Sequence, residues 1–215
     1  MLLLFYILAS LMIRVRFFDV GIAEEHALVF ASGLAAGGLR PVIAIYATFL
    51  QRALDCVFHD ICLQNLPVII GTDRSGVVED GPTHHGIYDL SFLLSMPNLH
   101  VYLPADEMEL RDMLFYAYSV KAPVVIRYPK GKSLNLTEHP EPFLPGKAVE
   151  LRSGNDVALW CAGRECETGL KVAKLLEQKG ISASVVNPRS LKPLDIGKLK
   201  KDAADKVVVT IEDAQ

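Results

Sequence analysis

Glu24, Glu25 and His26 follow a short alternating apolar run, Phe18-Asp-Val-Gly-Ile22, and precede Ala27, Leu28, Phe30, Ala31, Leu34 and Ala35, which have the spacing of an apolar helix face. Carboxylates and an imidazole therefore meet at what reads as a strand-to-helix junction, where proton transfer is the natural chemistry. Taken alone, Glu24 is an acid on the first turn of a helix, where the dipole favours it. A second stretch, Asp73 to Gly86, is polar, glycine-rich and carries adjacent histidines, His84 and His85, with Arg74 and Asp80 nearby. It leaves the apolar run Val68-Ile-Ile-Gly-Thr72, and loops of this kind carry function more than core.

The elements that must position these groups alternate. Val42 to Tyr46 reads as a strand, Phe49 to Gln64 as an amphipathic helix and Val68 to Ile70 as a strand. A short helix near Leu90–Leu94, a strand over Leu99–Leu103, a helix over Asp106–Ser119 and a strand over Val124–Arg127 follow. Short apolar runs buried on both faces imply an α/β fold, a parallel sheet covered by helices. Ligands of such sheets bind beyond the carboxyl ends of the strands, where Tyr46, the Asp73 loop and Arg127 all fall. Residues 129–147 carry Pro129, Pro140, Pro142 and Pro145 and read as a linker. A second, smaller α/β unit over 148–215 follows: strands at Val157–Cys161, Ser182–Val186 and Val207–Ile211, with helices near Glu165–Gln178 and Asp195–Ala204.

The chain has 215 residues, 51% apolar and 22% charged, with a net charge of −3. That balance offers no basic field for nucleic acid, which is excluded as an expected partner. The cysteines Cys56, Cys62, Cys161 and Cys166 form no CxxC pair and no ligand-spaced cluster, so a metal site is not expected, and reduced thiols point to the cytoplasm. Met1 to Ile13 is apolar but shorter than the roughly 18 residues that span a bilayer, and its charges, Arg14 and Arg16, follow the run rather than precede it. Residues 1–16 are thus an atypical start, with no membrane role expected.

Glu79-Asp-Gly-Pro-Thr-His84 resembles the loop that recurs in the pyrimidine-binding domain of thiamine diphosphate enzymes of the transketolase group. Phe18-Asp-Val-Gly-Ile-Ala-Glu-Glu-His26, Ile45-Tyr-Ala-Thr-Phe-Leu-Gln-Arg-Ala53 and Asp73-Arg74 narrow the resemblance to the 1-deoxy-D-xylulose-5-phosphate synthases, over about residues 17–215. The resemblance implies a pyrimidine-binding domain over 17–128 and a partial transketolase carboxyl-terminal domain over 148–215. It implies thiamine diphosphate and Mg²⁺ as cofactors, and a condensation of pyruvate with D-glyceraldehyde 3-phosphate, with loss of CO₂, that feeds isoprenoid and thiamine synthesis.

Carried over residue by residue, Glu24 matches the glutamate that bonds the aminopyrimidine and so promotes loss of the thiazolium proton. Phe49 matches the aromatic that packs on the pyrimidine ring. Tyr46, Arg52, Arg74 and Arg127 match groups around the acceptor aldehyde and its phosphate, where arginine forks suit a dianion. Asp80 and His84 match loop residues at the intermediate and the sugar hydroxyls, and an imidazole exchanges protons near neutral pH. His26, His59 and His85 read as structural.

The family's Gly-Asp-Gly motif for Mg²⁺ and diphosphate is absent from the sequence, so the chain is expected to be cut at both ends and to be inactive in isolation. The expected partners are that amino-terminal domain and a second copy of the chain in a homodimer. The alternatives are a split transketolase, a 2-oxo acid dehydrogenase beta-type subunit, and a non-catalytic remnant.

Overall fold

The apolar runs at Ile69–Asp73 and Val124–Arg127 become strands buried on both faces, whereas Val42–Tyr46, at the edge of the sheet, buries one face. The structure, a computed structural model, describes residues 16–131, 136 and 142–214. The apolar start Met1 to Ile13 lies outside the described residues. The first sheet contains β1 (Val42–Tyr46), β2 (Ile69–Asp73), β3 (His100–Tyr102) and β4 (Val124–Arg127), in the order β1-β2-β4-β3, all parallel. Val124, Val125 and Ile126 are buried, each contributing about 1.5–3 kcal/mol of burial. Tyr46 pairs with Asp73, and Thr72 with Arg127, so these ends line one edge of the sheet.

Helices cover this sheet. α1 (Glu24–Ala36) buries Leu28, Ala31 and Ala35 and stops at Gly37-Gly38, where Gly38 has φ +89° and Leu39 N–H reaches back to the Leu34 carbonyl. After β1 the chain turns directly into a helical run, Ala47–Leu50, Gln51–Ala53, Leu54–Cys56 and Val57–Cys62, which passes from α through 3₁₀ and α to π geometry. It begins two residues before the expected Phe49, so Phe49 falls on its first turn. α2 (Asp89–Leu93) and α3 (Glu107–Ser119) follow as expected. Asp106 caps α3 by accepting from Glu109 N–H at 2.9 Å, an interaction that typically stabilises by about 1 kcal/mol.

The second sheet, of order β5-β7-β6-β9, comprises β5 (Val149–Arg152), β6 (Val157–Cys161), β7 (Ala183–Asn187) and β9 (Val207–Ile211), with β5 antiparallel to β7. α4 (Glu165–Glu177) and α5 (Ile196–Asp205) pack on it. Between β7 and α5 the short β8 (Ser190–Lys192) leaves this sheet and adds antiparallel to β3 of the first. Arg189, immediately before it, is buried against Glu109 of α3, with Nε to Oε1 at 2.8 Å. Asn187 Nδ2 donates to both oxygens of the same carboxylate. The two units are therefore joined by a shared strand and a buried ion pair.

One expected element does not form. Residues 17–23 make no strand, and Phe18 and Ile22 are exposed. Gly21, with φ +70°, donates its N–H to Asp19 Oδ1, which bends the chain into a turn. Among the described residues no helix is long and apolar enough to cross a membrane. All four cysteines are free.

Candidate active site

At the carboxyl edge of the first sheet a chain of contacts connects most of the residues singled out above. Glu24, on the first turn of α1 and 9% exposed, faces Arg52 of the helical run, Nη1 to Oε2 at 3.5 Å. The Arg52 guanidinium also lies 5.9 Å from the centre of the Phe49 ring, so it stands between the carboxylate and the aromatic side chain in the chain of contacts. Phe49 stacks with Tyr46 at 5.7 Å and meets the edge of His84 at 5.4 Å. Thr48 Oγ1 donates to the Thr83 carbonyl, holding the loop to the helical run.

The other end is charged. Arg74 has φ +59°, a conformation that costs a non-glycine residue of the order of 1 kcal/mol, and Asp73 Oδ1 stabilises it by accepting Arg74 N–H at 2.8 Å. Its guanidinium lies 4.2 Å from the Tyr46 ring centre, donates to Tyr46 Oη at 3.0 Å and pairs with Asp80 at 2.5 Å. Arg74 Nε is buried and has no acceptor among the described residues, an open donor within an otherwise satisfied group.

Lys130, just beyond β4, joins Asp80 at 3.1 Å and Glu79 at 2.9 Å. Lys130 and Arg74 hold the Asp80 carboxyl below the usual carboxylate range, and Glu79 with Asp80 lifts the Lys130 ammonium above its own. His84 Nδ1 lies 2.9 Å from Thr83 Oγ1.

Arg127 stands apart. It is 5% exposed, and its three nitrogens donate to Asp89 at 2.8 Å, to Asp213 at 2.6 Å and to the Gly86 carbonyl at 3.0 Å. Burial lifts the Asp89 carboxyl and opposes the guanidinium charge, but Asp89 and Asp213 hold Arg127 protonated, so the cluster is ionic. The sequence reading placed Arg127 among the groups around the acceptor's phosphate; in the structure each of its three guanidinium nitrogens donates to a protein acceptor beneath the loop.

Lys130, three residues on, is a cation of this loop cluster that the sequence reading did not single out. The signal was a lysine one turn beyond a strand end in Arg127-Tyr-Pro-Lys130. His85 Nε2 lies 3.2 Å from the Val78 carbonyl and braces the loop, as a structural histidine would. Among the described residues no group of His, Cys, Asp and Glu is arranged to hold a metal ion.

Residues 9–134 match the family model of the transketolase pyrimidine-binding domain, and residues 146–215 that of the transketolase carboxyl-terminal domain. The 1-deoxy-D-xylulose-5-phosphate synthase of Carboxydothermus hydrogenoformans is 49% identical over 201 residues, which cover 92% of this chain and 32% of that protein. The synthase of Chlorobaculum tepidum is 53% identical over 184 residues, covering 84% and 29%. The chain thus spans about a third of the length of the curated relatives it matches. Among solved structures, a split-gene transketolase described as an inactive beta4 tetramer superposes with a TM-score of 0.88 at 33% identity, covering 96% of this chain and 68% of that one. The transketolase of Campylobacter jejuni shares the fold, with a TM-score of 0.79 at 23% identity over 92% of this chain and 32% of that one.

Proposed function

Since this chain belongs to the transketolase family, with its pyrimidine-binding and carboxyl-terminal domains, we propose that it supplies the pyrimidine-binding side of the active site of a 1-deoxy-D-xylulose-5-phosphate synthase. The observation that carries the reading is the unbroken contact path Glu24–Arg52–Phe49–His84 and Phe49–Tyr46–Arg74–Asp80 along the carboxyl edge of a parallel sheet. Identity of 46–53% to synthases, against 33% to the split transketolase, favours the synthase over the split-transketolase reading.

The residues present suit the pyrimidine half of thiamine diphosphate: a shielded carboxylate to bond a ring nitrogen and a flat aromatic face to pack on the ring. They do not suit its other end, because the described residues offer no metal set for Mg²⁺ and the diphosphate. In this reading those are held by a separate amino-terminal domain. When bound, the cofactor supplies a carbon nucleophile for the 2-oxo acid.

The chain's own residues then divide the work. Glu24 bonds and orients the ring and passes a proton at its carboxylate oxygen. Phe49 excludes water from that bond. His84 Nε2 moves the proton of the reacting oxygen. Asp80 orients sugar hydroxyls, while Arg74, Arg52 and Lys130 give the acceptor's phosphate its cations. The substrates are pyruvate and D-glyceraldehyde 3-phosphate. A second copy of the chain is the proposed partner, the exposed apolar Phe18, Ile22 and Val29 on the α1 side being suited to it. Free, mostly buried cysteines accord with a cytoplasmic location.

The test is release of CO₂ from pyruvate by the chain joined to a synthase amino-terminal domain. Release that depends on glyceraldehyde 3-phosphate is expected, and ketose-donor transfer without decarboxylation would overturn the synthase assignment in favour of a transketolase.

A further inference from the structure

Asp213 follows β9 of the second unit, yet its carboxylate ends in the first. Oδ1 accepts from Arg127 Nη1 at 2.6 Å, across 86 residues of sequence. On its other side Asp213 lies against the base of the loop that carries Asp80 and His84: a Cβ added to Gly76 would come within 2.1 Å of Oδ2. Gly76, with φ +78°, closes that base by a reciprocal pair of bonds with Gly86, N–H to carbonyl at 2.8 and 2.9 Å. Gly86 in turn has no room for a side chain, since a Cβ would meet Ala47 at 2.5 Å and the Arg74 carbonyl at 2.9 Å. Its carbonyl also accepts from Arg127 Nη2. The two ends of the loop base are thus gripped by one assembly: Arg127 on Gly86, and Asp213 on both Arg127 and Gly76.

We infer that Asp213 is a positioning residue, a carboxylate from the second unit that fixes the height and closure of the Gly76–Gly86 loop and so the placing of Asp80 and His84. The inference rests on the functional reading above for the roles of those two groups. Its physical basis is that an ion pair with the guanidinium at 4% and the carboxylate at 23% side-chain exposure is only lightly screened. Loss of Asp213 leaves Arg127 paired with the fully buried Asp89, so the cation is not orphaned and the chain keeps its core. What is lost is the lateral restraint on the loop base.

The experiment uses the full chain, wild type, Asp213→Asn and Asp213→Glu. Amide hydrogen exchange is followed at Gly76, His84 and Gly86, with Ile70 and Val125 as core controls. Asp213→Asn is expected to speed exchange at the loop amides about tenfold or more while the core amides keep their rates, and Asp213→Glu, which keeps the charge, restores protection. In the same variants joined to a synthase amino-terminal domain, KM for glyceraldehyde 3-phosphate rises more than KM for pyruvate. Unchanged loop exchange, or loop and core rising together, would overturn the role of Asp213. An inactive wild-type fusion would instead overturn the functional reading, and with it the catalytic consequence drawn here.

Discussion

Replacing Arg127 by methionine separates a buried clasp from an open substrate cation. The side chain is nearly isosteric in its stem but removes three donor nitrogens, and Asp89, wholly buried in α2, keeps among the described residues the Leu90 N–H at 3.0 Å. Stranding a buried charge in this way typically costs about 3–5 kcal/mol. Against a total stability of about 5–15 kcal/mol, that is a large fraction. For a chain of this size each kcal/mol lowers Tm by about 2–4 °C, so a fall of about 6–20 °C is expected.

The assay is urea and thermal unfolding followed by circular dichroism, with the urea slope unchanged. Adding Asp89→Leu should recover most of the loss, because an apolar pair of similar volume is tolerated where a lone charge is not, and Asp213 can turn to water. If Arg127→Met lowered Tm by less than about 3 °C and acted only on KM, the clasp would be refuted and Arg127 restored as a phosphate ligand.

Arg74→Ala and Lys130→Ala should each raise KM for glyceraldehyde 3-phosphate about tenfold or more in a complemented enzyme, with KM for pyruvate little changed; equal effects on both substrates would contradict their placing. The Asp80–Lys130–Glu79 cluster should persist over a wide pH window. Asp80, lowered in the folded chain, contributes stability that is full above the ordinary carboxylate value of about 3.9 and is lost as pH falls through its lower folded value. Lys130, raised, contributes stability that is full below about 10.4 and is lost as pH rises through its higher folded value. Loop amide shifts that moved between pH 5 and 9 together with Asp80 or Lys130 would contradict this. Burial pushes the Cys62 thiol up to about 11 and the Cys161 thiol up to about 12, so neither should react with an aromatic disulfide reagent at pH 8 before unfolding, and fast loss of both would refute their burial.

The parallel strands were readable because Val68-Ile-Ile70 and Val124-Val-Ile126 are uninterrupted apolar runs between polar loops, a pattern that needs both faces covered. Phe18, Val20 and Ile22 alternate just as well but pair with no strand among the described residues, and alternation says nothing about partners. β8 is three residues long, too short for any period to register. Among the site residues, Glu24, Tyr46, Phe49, Arg52, Arg74, Asp80 and His84 could be named because they sit in short motifs at strand ends, and the structure brings them into one set of contacts. Arg127 and Lys130 could not be told apart in sequence, since both are cations near the end of β4. Burial distinguishes them, and it depends on Asp89 and on Asp213, which is 86 residues distant.

The most direct test of the account replaces the matching third of the Carboxydothermus hydrogenoformans synthase by this chain and measures 1-deoxy-D-xylulose 5-phosphate formed from pyruvate and glyceraldehyde 3-phosphate, with Glu24 intact and as Glu24→Gln. The account predicts product from the first and a loss of about 10²–10⁴-fold in kcat from the second, with the fold unchanged. A folded chimera that makes no product, or one whose rate survives Glu24→Gln, would contradict it.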